Sequence, residues 1–209
     1  MARAMPGSCV VYRCAQLCAM MLLALASGCV SEQQKISATR DVNAVFRTEY
    51  ERVLAEDGTH IYHVPRDETF QALRVALGGL GMRLAEQSPD LGYLSVYAPA
   101  PHPLTRDEWL RAAQADLPKF RGILEQHLGL AAWFVSFEPQ GLDVVINATT
   151  IQVRGGTAVS LTMRMREVAP PKSGYPRREY APPTAVRMGL RKIWDALERE
   201  LPPASGRRS

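Results

Sequence analysis

The sequence predicts an α+β fold in which an antiparallel sheet is covered by helices on one face. Three observations carry this. Segments in the second half alternate strictly between apolar and polar residues, as in Val159, Leu161, Met163 and Met165 against Ser160, Thr162, Arg164 and Arg166. Tight turns at Gln140-Gly141 and Gly155-Gly156 reverse the chain between such segments, which implies antiparallel neighbours. Apolar stripes at helical spacing flank them on both sides, so helices are available to cover the apolar face.

Taken in order, Val42, Val45, Phe46, Val53 and Leu54 recur near helical spacing behind Asp41, a candidate N-cap. This predicts a short helix to about Leu54. The alternative pairs residues 51–55 with a strand from Thr59 to Val64 across the turn signal Asp57-Gly58. After Pro65 a helix is predicted with Asp67 at its cap, Phe70, Leu73, Leu77 and Leu80 as its stripe, and Gly78, Gly79 and Gly81 at its end. A strand over Met82 to Glu86 follows. The turn Ser88-Pro89-Asp90 then leads to a second strand to Ala98, with Leu94, Val96 and Ala98 on one face and Tyr93, Ser95 and Tyr97 on the other.

Pro99, Pro101 and Pro103 predict a stiff extended connection. Thr105 and Glu108 form a capping box ahead of Trp109 and Leu110. Pro118 is expected to divide the helical region, leaving a second helix with Phe120, Ile123, Leu124, His127 and Leu128 on one face. Trp133, Val135 and Phe137 alternate as the first strand of a meander, and Leu142 to Val153 forms the next. Val186, Leu190, Ile193, Trp194, Leu197 and Leu201 make the last amphipathic helix. There is no internal repeat.

The amino-terminal region differs in kind. Arg3 and Arg13 precede a charge-free run over residues 14–28 that includes Leu17, Met20, Met21, Leu22, Leu23 and Leu25. Such a run has the length and flanks of a secretory h-region and is shorter than the roughly 20 apolar residues of a spanning helix. It ends in Ala26, Ser27 and Gly28, small residues directly before Cys29. This stretch resembles a bacterial lipoprotein export signal, with Ala26 where the family prefers leucine. The resemblance implies removal of residues 1–28, diacylglycerol and an N-acyl chain on Cys29, and stable attachment through several chains. Val30 stands where an Asp would favour inner-membrane retention, so the resemblance implies the outer membrane, with the domain in the periplasm. On this reading residues 29–40 are the acylated terminus and a flexible tether, 41–202 a single α+β domain, and 203–209 a disordered basic tail. The succession of helix, hairpin and alternating strand over residues 59–98 also resembles the helix-grip modules of the accessory lipoprotein of the outer-membrane barrel-assembly machinery.

Composition narrows the function. Cys9, Cys14 and Cys18 fall in the segment to be removed, which leaves Cys29 as the last of four cysteines. A mature domain without a thiol has no disulfide, thiol catalysis or cysteine-ligated metal. The net charge of +4 includes Arg3 and Arg13, and export makes nucleic acid an improbable partner. Residues 29–163 carry 12 basic and 16 acidic side chains, whereas 164–209 carry 11 and 5. The basic end suits an acidic partner or anionic headgroups.

Catalytic patterns are weak. His60 and His63, near Asp67, lie three apart in a strand and so point to opposite faces, which argues against one shared ion. His102 sits among prolines and is expected to be exposed, and His127 on an apolar helix face reads as a core histidine. Asp107 and Glu108 are explained by helix capping, Ser136 and Ser160 lack a nucleophile elbow, and the sequon Asn147-Ala148-Thr149 is incidental in a strand. No metal or cofactor is expected. The connection from Ala169 to Pro183 interleaves Pro170, Pro171, Pro176, Pro182 and Pro183 with Lys172, Tyr175, Arg177, Arg178 and Tyr180. Tyr175, Arg177, Arg178 and Tyr180 are the candidate partner contacts, because tyrosine and arginine dominate recognition surfaces and proline lowers the ordering cost. The sequence thus leads to a non-enzymatic, lipid-anchored envelope protein that binds a protein partner as an assembly or stabilising factor. Its alternatives are a carrier of lipid in a groove lined by Trp133, Met163, Met165 and Trp194, and an envelope hydrolase.

Overall fold

A computed structural model describes residues 30–135, 137–169 and 180–202. The signal segment, Cys29, Ser136, Tyr175, Arg177, Arg178 and the tail at 203–209 lie outside the described residues. The elements are α1 (Glu32–Asp57), β1 (Thr59–Tyr62), α2 (Arg66–Gly79), β2 (Arg83–Ser88), β3 (Tyr93–Pro99), α3 (Arg106–Leu128), a 3-10 turn (Gly129–Phe134), β4 (Leu142–Val153), β5 (Gly156–Glu167) and α4 (Pro183–Glu200). The fold is α+β, as the alternation and turns predict. One five-stranded sheet runs in the order β1-β5-β4-β3-β2 with every pair antiparallel.

The alternating residues sort as expected. Leu94, Val96 and Ala98 on β3, Val144, Ile146 and Ala148 on β4, and Val159, Leu161 and Met163 on β5 are buried beneath α2 and α4. Removal of that much branched apolar surface from water is the main stabilising contribution, at about 25 cal/mol per Å². The helix α4 lies directly on β5: a Cβ at Gly189 would sit 2.7 Å from the Met163 sulfur, so glycine there sets the approach. Gly92 is required in the β2–β3 turn, where φ is +64° and a Cβ would fall 2.1 Å from the Thr150 carbonyl oxygen.

Several expectations are corrected. Residues 32–40, read as tether, belong to α1. Ser31 is its N-cap, with Gln34 N–H donating to Ser31 Oγ and Ser31 N–H donating to Gln34 Oε1 at 2.8 Å. That reciprocal box, and burial of Ala38, hold the early turns. Asp41 is therefore mid-helix, and the alternative hairpin over 51–55 gives way to helix through Asp57, with β1 pairing to β5 instead.

Pro118 does not divide α3, which is continuous across it. Trp109 and Ala112 before it and Phe120 and Leu124 after it are all buried, while Gln114, whose carbonyl loses its partner, and Pro118 itself are exposed. Packing on both sides outweighs one bond surrendered to solvent.

Trp133 and Val135 are not in a strand, since residues 129–134 form a 3-10 turn and residues 135 and 137–139 carry no regular structure. The proline segment at 98–104 folds into successive turns, with His102 N–H donating to the Pro99 carbonyl and Leu104 N–H to that of Pro101.

The apolar residues form two cores. The larger lies between the sheet, α2 and α4. The smaller joins α1 to α3 through Ala38, Val42, Phe46, Ala113, Phe120, Leu124, Leu128, Ala132 and Phe137. Its centre is aromatic, with Phe46 5.4 Å from Phe137 and Phe120 4.2 Å from Phe137 between ring centroids.

Candidate functional site

The sheet's second face is built from the polar half of the alternation, and none of the described helices packs upon it. Register sets its composition row by row. Asp143 pairs with Arg166, Tyr97 with Val145 and Val145 with Arg164, Ser95 with Asn147 and Asn147 with Thr162, and Tyr93 with Thr149 and Thr149 with Ser160. Ile151, Ala158 and Ile61 complete the far end. The face therefore runs from charged groups at the β5 carboxyl end to exposed isoleucines at the β1 end.

The charged end is held in place. Arg166 Nη2 donates to Asp143 Oδ2 at 3.0 Å, and its guanidinium carbon lies 5.8 Å from the Tyr97 ring centre. Asp143 is 8% exposed while the Arg166 side chain stays largely open, so the carboxylate is the fixed member and the guanidinium the presented one. In the middle, Ser95 Oγ donates to Asn147 Oδ1 at 2.8 Å and Tyr93 donates to the same oxygen at 3.3 Å. That leaves the Asn147 amide nitrogen free of the contacts that fix its oxygen. Such a face offers planar side chains already ordered by neighbours, which suits recognition of a polar protein surface.

The Ala169–Pro183 connection leaves from the charged end. Val168 and Ala169 N–H groups donate to the Gly141 carbonyl, fixing its departure point three residues beyond Arg166. Of the four candidate contacts, Tyr180 is described. It is half-buried, touches both cores and lies 5.5 Å from the Tyr50 ring, so it ties the returning chain to α1. Tyr175, Arg177 and Arg178 are outside the described residues.

The remaining candidates are dispersed. His60 stacks on Trp194 at 4.3 Å, whereas His63 Nδ1 lies 2.9 Å from the Gly155 carbonyl; the two imidazoles have separate partners, although β1 ends at Tyr62 and His63 stands in the bend beyond it rather than in the expected strand. Asp67 is exposed beside Arg66. His102 is exposed, with Nδ1 3.3 Å from the Leu80 carbonyl. His127 is only half-buried and donates from Nε2 to Asp41 Oδ2 at 2.8 Å, which corrects its placement as a core histidine and holds the Asp41 carboxyl below its ordinary pKa. Glu108 closes the predicted capping box and accepts from Lys192 at 2.6 Å. The lysine and the Thr105 backbone lower its pKa. Ser160 Oγ is 2.9 Å from Thr59 Oγ1.

The groove imagined for a lipid is occupied by protein. Met163 and Trp194 are buried in the larger core and Met165 at its margin, and Trp133 stands elsewhere, exposed on the 3-10 turn. Among the described residues no group of three or more His, Cys, Asp or Glu side chains is placed to hold a metal ion, and no helix is long and apolar enough to cross a membrane. The chain matches no protein-family model, no curated protein and no solved structure.

The residues of the open face are visible in the sequence, but their adjacency is not. Tyr93, Tyr97, Arg164 and Arg166 are the polar half of the same alternation that gives the core. What the alternation lacks is register, which alone brings Tyr97, Asp143 and Arg166 together.

Proposed function

We propose that the protein is a lipid-anchored envelope protein that binds a protein partner across the open face of its sheet and the adjoining basic connection, and that it acts by holding that partner rather than by catalysis. On this proposal Cys29 carries the acyl chains, the outer membrane is the site of attachment and the periplasm is where the domain works. The observation that carries the binding half of the reading is the Tyr97–Arg166–Asp143 cluster. It displays an aromatic ring and a guanidinium, both pre-positioned, on a surface that no described helix covers. A sheet face with no task needs only polarity. Here a nearly buried carboxylate fixes an exposed arginine over a tyrosine, which is how recognition surfaces reduce the entropy lost on binding.

The test is crosslinking in cells with the full-length chain, followed by identification of what is captured. Cys29→Ala serves as the mislocalised control, and Tyr97→Ala with Arg166→Glu as the surface variant. A defined set of envelope proteins captured by the wild type and lost in both is the expected result. Recovery of lipid or cell-wall material alone overturns the reading. Unchanged capture by a Tyr175, Arg177, Arg178 and Tyr180 alanine variant removes the connection from the interface and leaves the sheet face.

A further inference from the structure

We infer that the 3-10 turn after α3 is a membrane-docking surface, through which the domain rests on the bilayer that holds its acyl chains. The inference rests on the reading of Cys29 as the acylated residue.

Leu130, Trp133 and Phe134 are 84%, 56% and 89% exposed, three large apolar side chains within five residues. Residues three apart in a 3-10 helix eclipse each other, so Leu130 and Trp133 share one side and Phe134 adjoins them. Clustered exposure of this kind marks an interaction surface, whereas single exposed residues do not. The rest of the same segment shows that it is not loose: Ala132 is fully buried, and Ala131 and Val135 pack against the smaller core.

The position of Val30 decides what covers these residues. Val30 packs against that same core, and α1 begins with its cap at Ser31. Cys29 is bonded to Val30, and one residue spans at most about 3.6 Å. Acyl chains on Cys29 therefore enter the bilayer beside the core that seats the 3-10 turn, with no tether to lift the domain away. The side chains suit that depth. Tryptophan is favoured at membrane interfaces, where its ring is in apolar surroundings and its N–H can reach headgroups. The Arg121 guanidinium carbon lies 4.7 Å from the Trp133 ring centre and supports the ring from α3. A bilayer surface is thus the occupant that the geometry selects over a second copy of the chain.

Trp133 reports on the question directly, because Trp109 and Trp194 are buried. The full-length chain would be produced in a bacterial host, its amino-terminal peptide weighed, and the protein reconstituted into phosphatidylethanolamine and phosphatidylglycerol vesicles with brominated acyl chains. The expected result is a diacylglyceryl mass on Cys29, a blue shift on reconstitution, and loss of most Trp133 emission to the brominated lipid. Trp133→Phe should abolish that quenching. Leu130→Ser with Phe134→Ser, two exposed positions that leave the fold intact by circular dichroism, should restore Trp133 to water-soluble quencher. An acylated, vesicle-bound protein whose Trp133 stays open to aqueous quencher overturns the docking and leaves the anchor standing. Protection from aqueous quencher without quenching by bromine means that protein covers the patch, and also overturns it. An unmodified Cys29 overturns the anchor reading and the docking with it.

Discussion

The hydroxyl of Tyr62 is buried with no hydrogen-bond partner among the described residues, and burial raises its pKa, with Glu198 and Asp195 adding to the effect. A donor in that state costs its desolvation and recovers nothing, so Tyr62→Phe should raise stability by about 1 kcal/mol. The midpoint of urea unfolding checks it; a decrease would mean that the hydroxyl has a partner. Asp116 is the opposite case. The N-cap position of α4 is Pro182, which has no side-chain acceptor, and Asp116 of α3 supplies one by accepting from Thr184 N–H at 2.9 Å and Thr184 Oγ1 at 2.7 Å. Asp116→Ala should therefore cost about 1 kcal/mol, the usual loss for a cap, even though the two residues are far apart in sequence.

At the scale of elements, α1 is held to α3 by charge as well as by its apolar stripe. His127 donates to Asp41, and Lys119 pairs with Glu49, which also meets Arg52. The hydrogen bond from His127 lowers the pKa of Asp41, and that from Lys119 lowers the pKa of Glu49, from ordinary values of 3.8 and 4.5. A carboxyl with a depressed folded pKa contributes stability above its unfolded value and loses it as pH falls through the folded one. Acid should thus weaken the α1–α3 contact, and Asp41→Asn with Glu49→Gln should flatten the fall in melting temperature between about pH 6 and about pH 3. Legibility also divides by element. β3, β4, β5, α2 and α4 were readable because each buries one regular face and leaves the other wet. The start of α1 was not, although Ser31 and Gln34 form a capping box in plain view, because its buried stripe begins at Ala38, too small to register as apolar periodicity. Pro118 misled for a related reason: local propensity breaks a helix, whereas the contacts that keep α3 whole come from α1 and α4, distant in sequence. Of the candidate site, residue types were legible and adjacency was not, since Tyr97 and Arg166 meet only through the register of β4.

For the whole molecule, the question is whether two cores make two folding units. The larger core is closed by the sheet, α2 and α4, the smaller by α1 against α3, and α1 also enters the larger one through Tyr50 and Val53. Trp109 and Ala112 of α3 belong to the larger core and Ala113, Phe120 and Leu124 to the smaller, so one rigid helix is a wall of both. Tyr180 touches both, and Trp109 Nε1 donates to the Phe137 carbonyl at 3.0 Å, across the boundary between them. Arg187 of α4 grips the end of α1 through Glu56 and Asp57, and Trp194 Nε1 donates to the Asp57 carbonyl at 2.8 Å. Because loss of either core removes a wall or a clamp from the other, unfolding should be one cooperative transition. Phe46→Ala tests this from the smaller core. It deletes the ring that stacks on Phe137 and Phe120 and should cost about 3–5 kcal/mol, as large aromatic truncations in a core do. The loss should appear in full, with the same midpoint, when followed by the fluorescence of the core tryptophans in a Trp133→Phe background and by far-ultraviolet circular dichroism. A variant whose helical signal melts early while Trp109 and Trp194 report an unchanged midpoint would instead make α1 a separately detachable arm, able to leave α3 without unfolding the sheet.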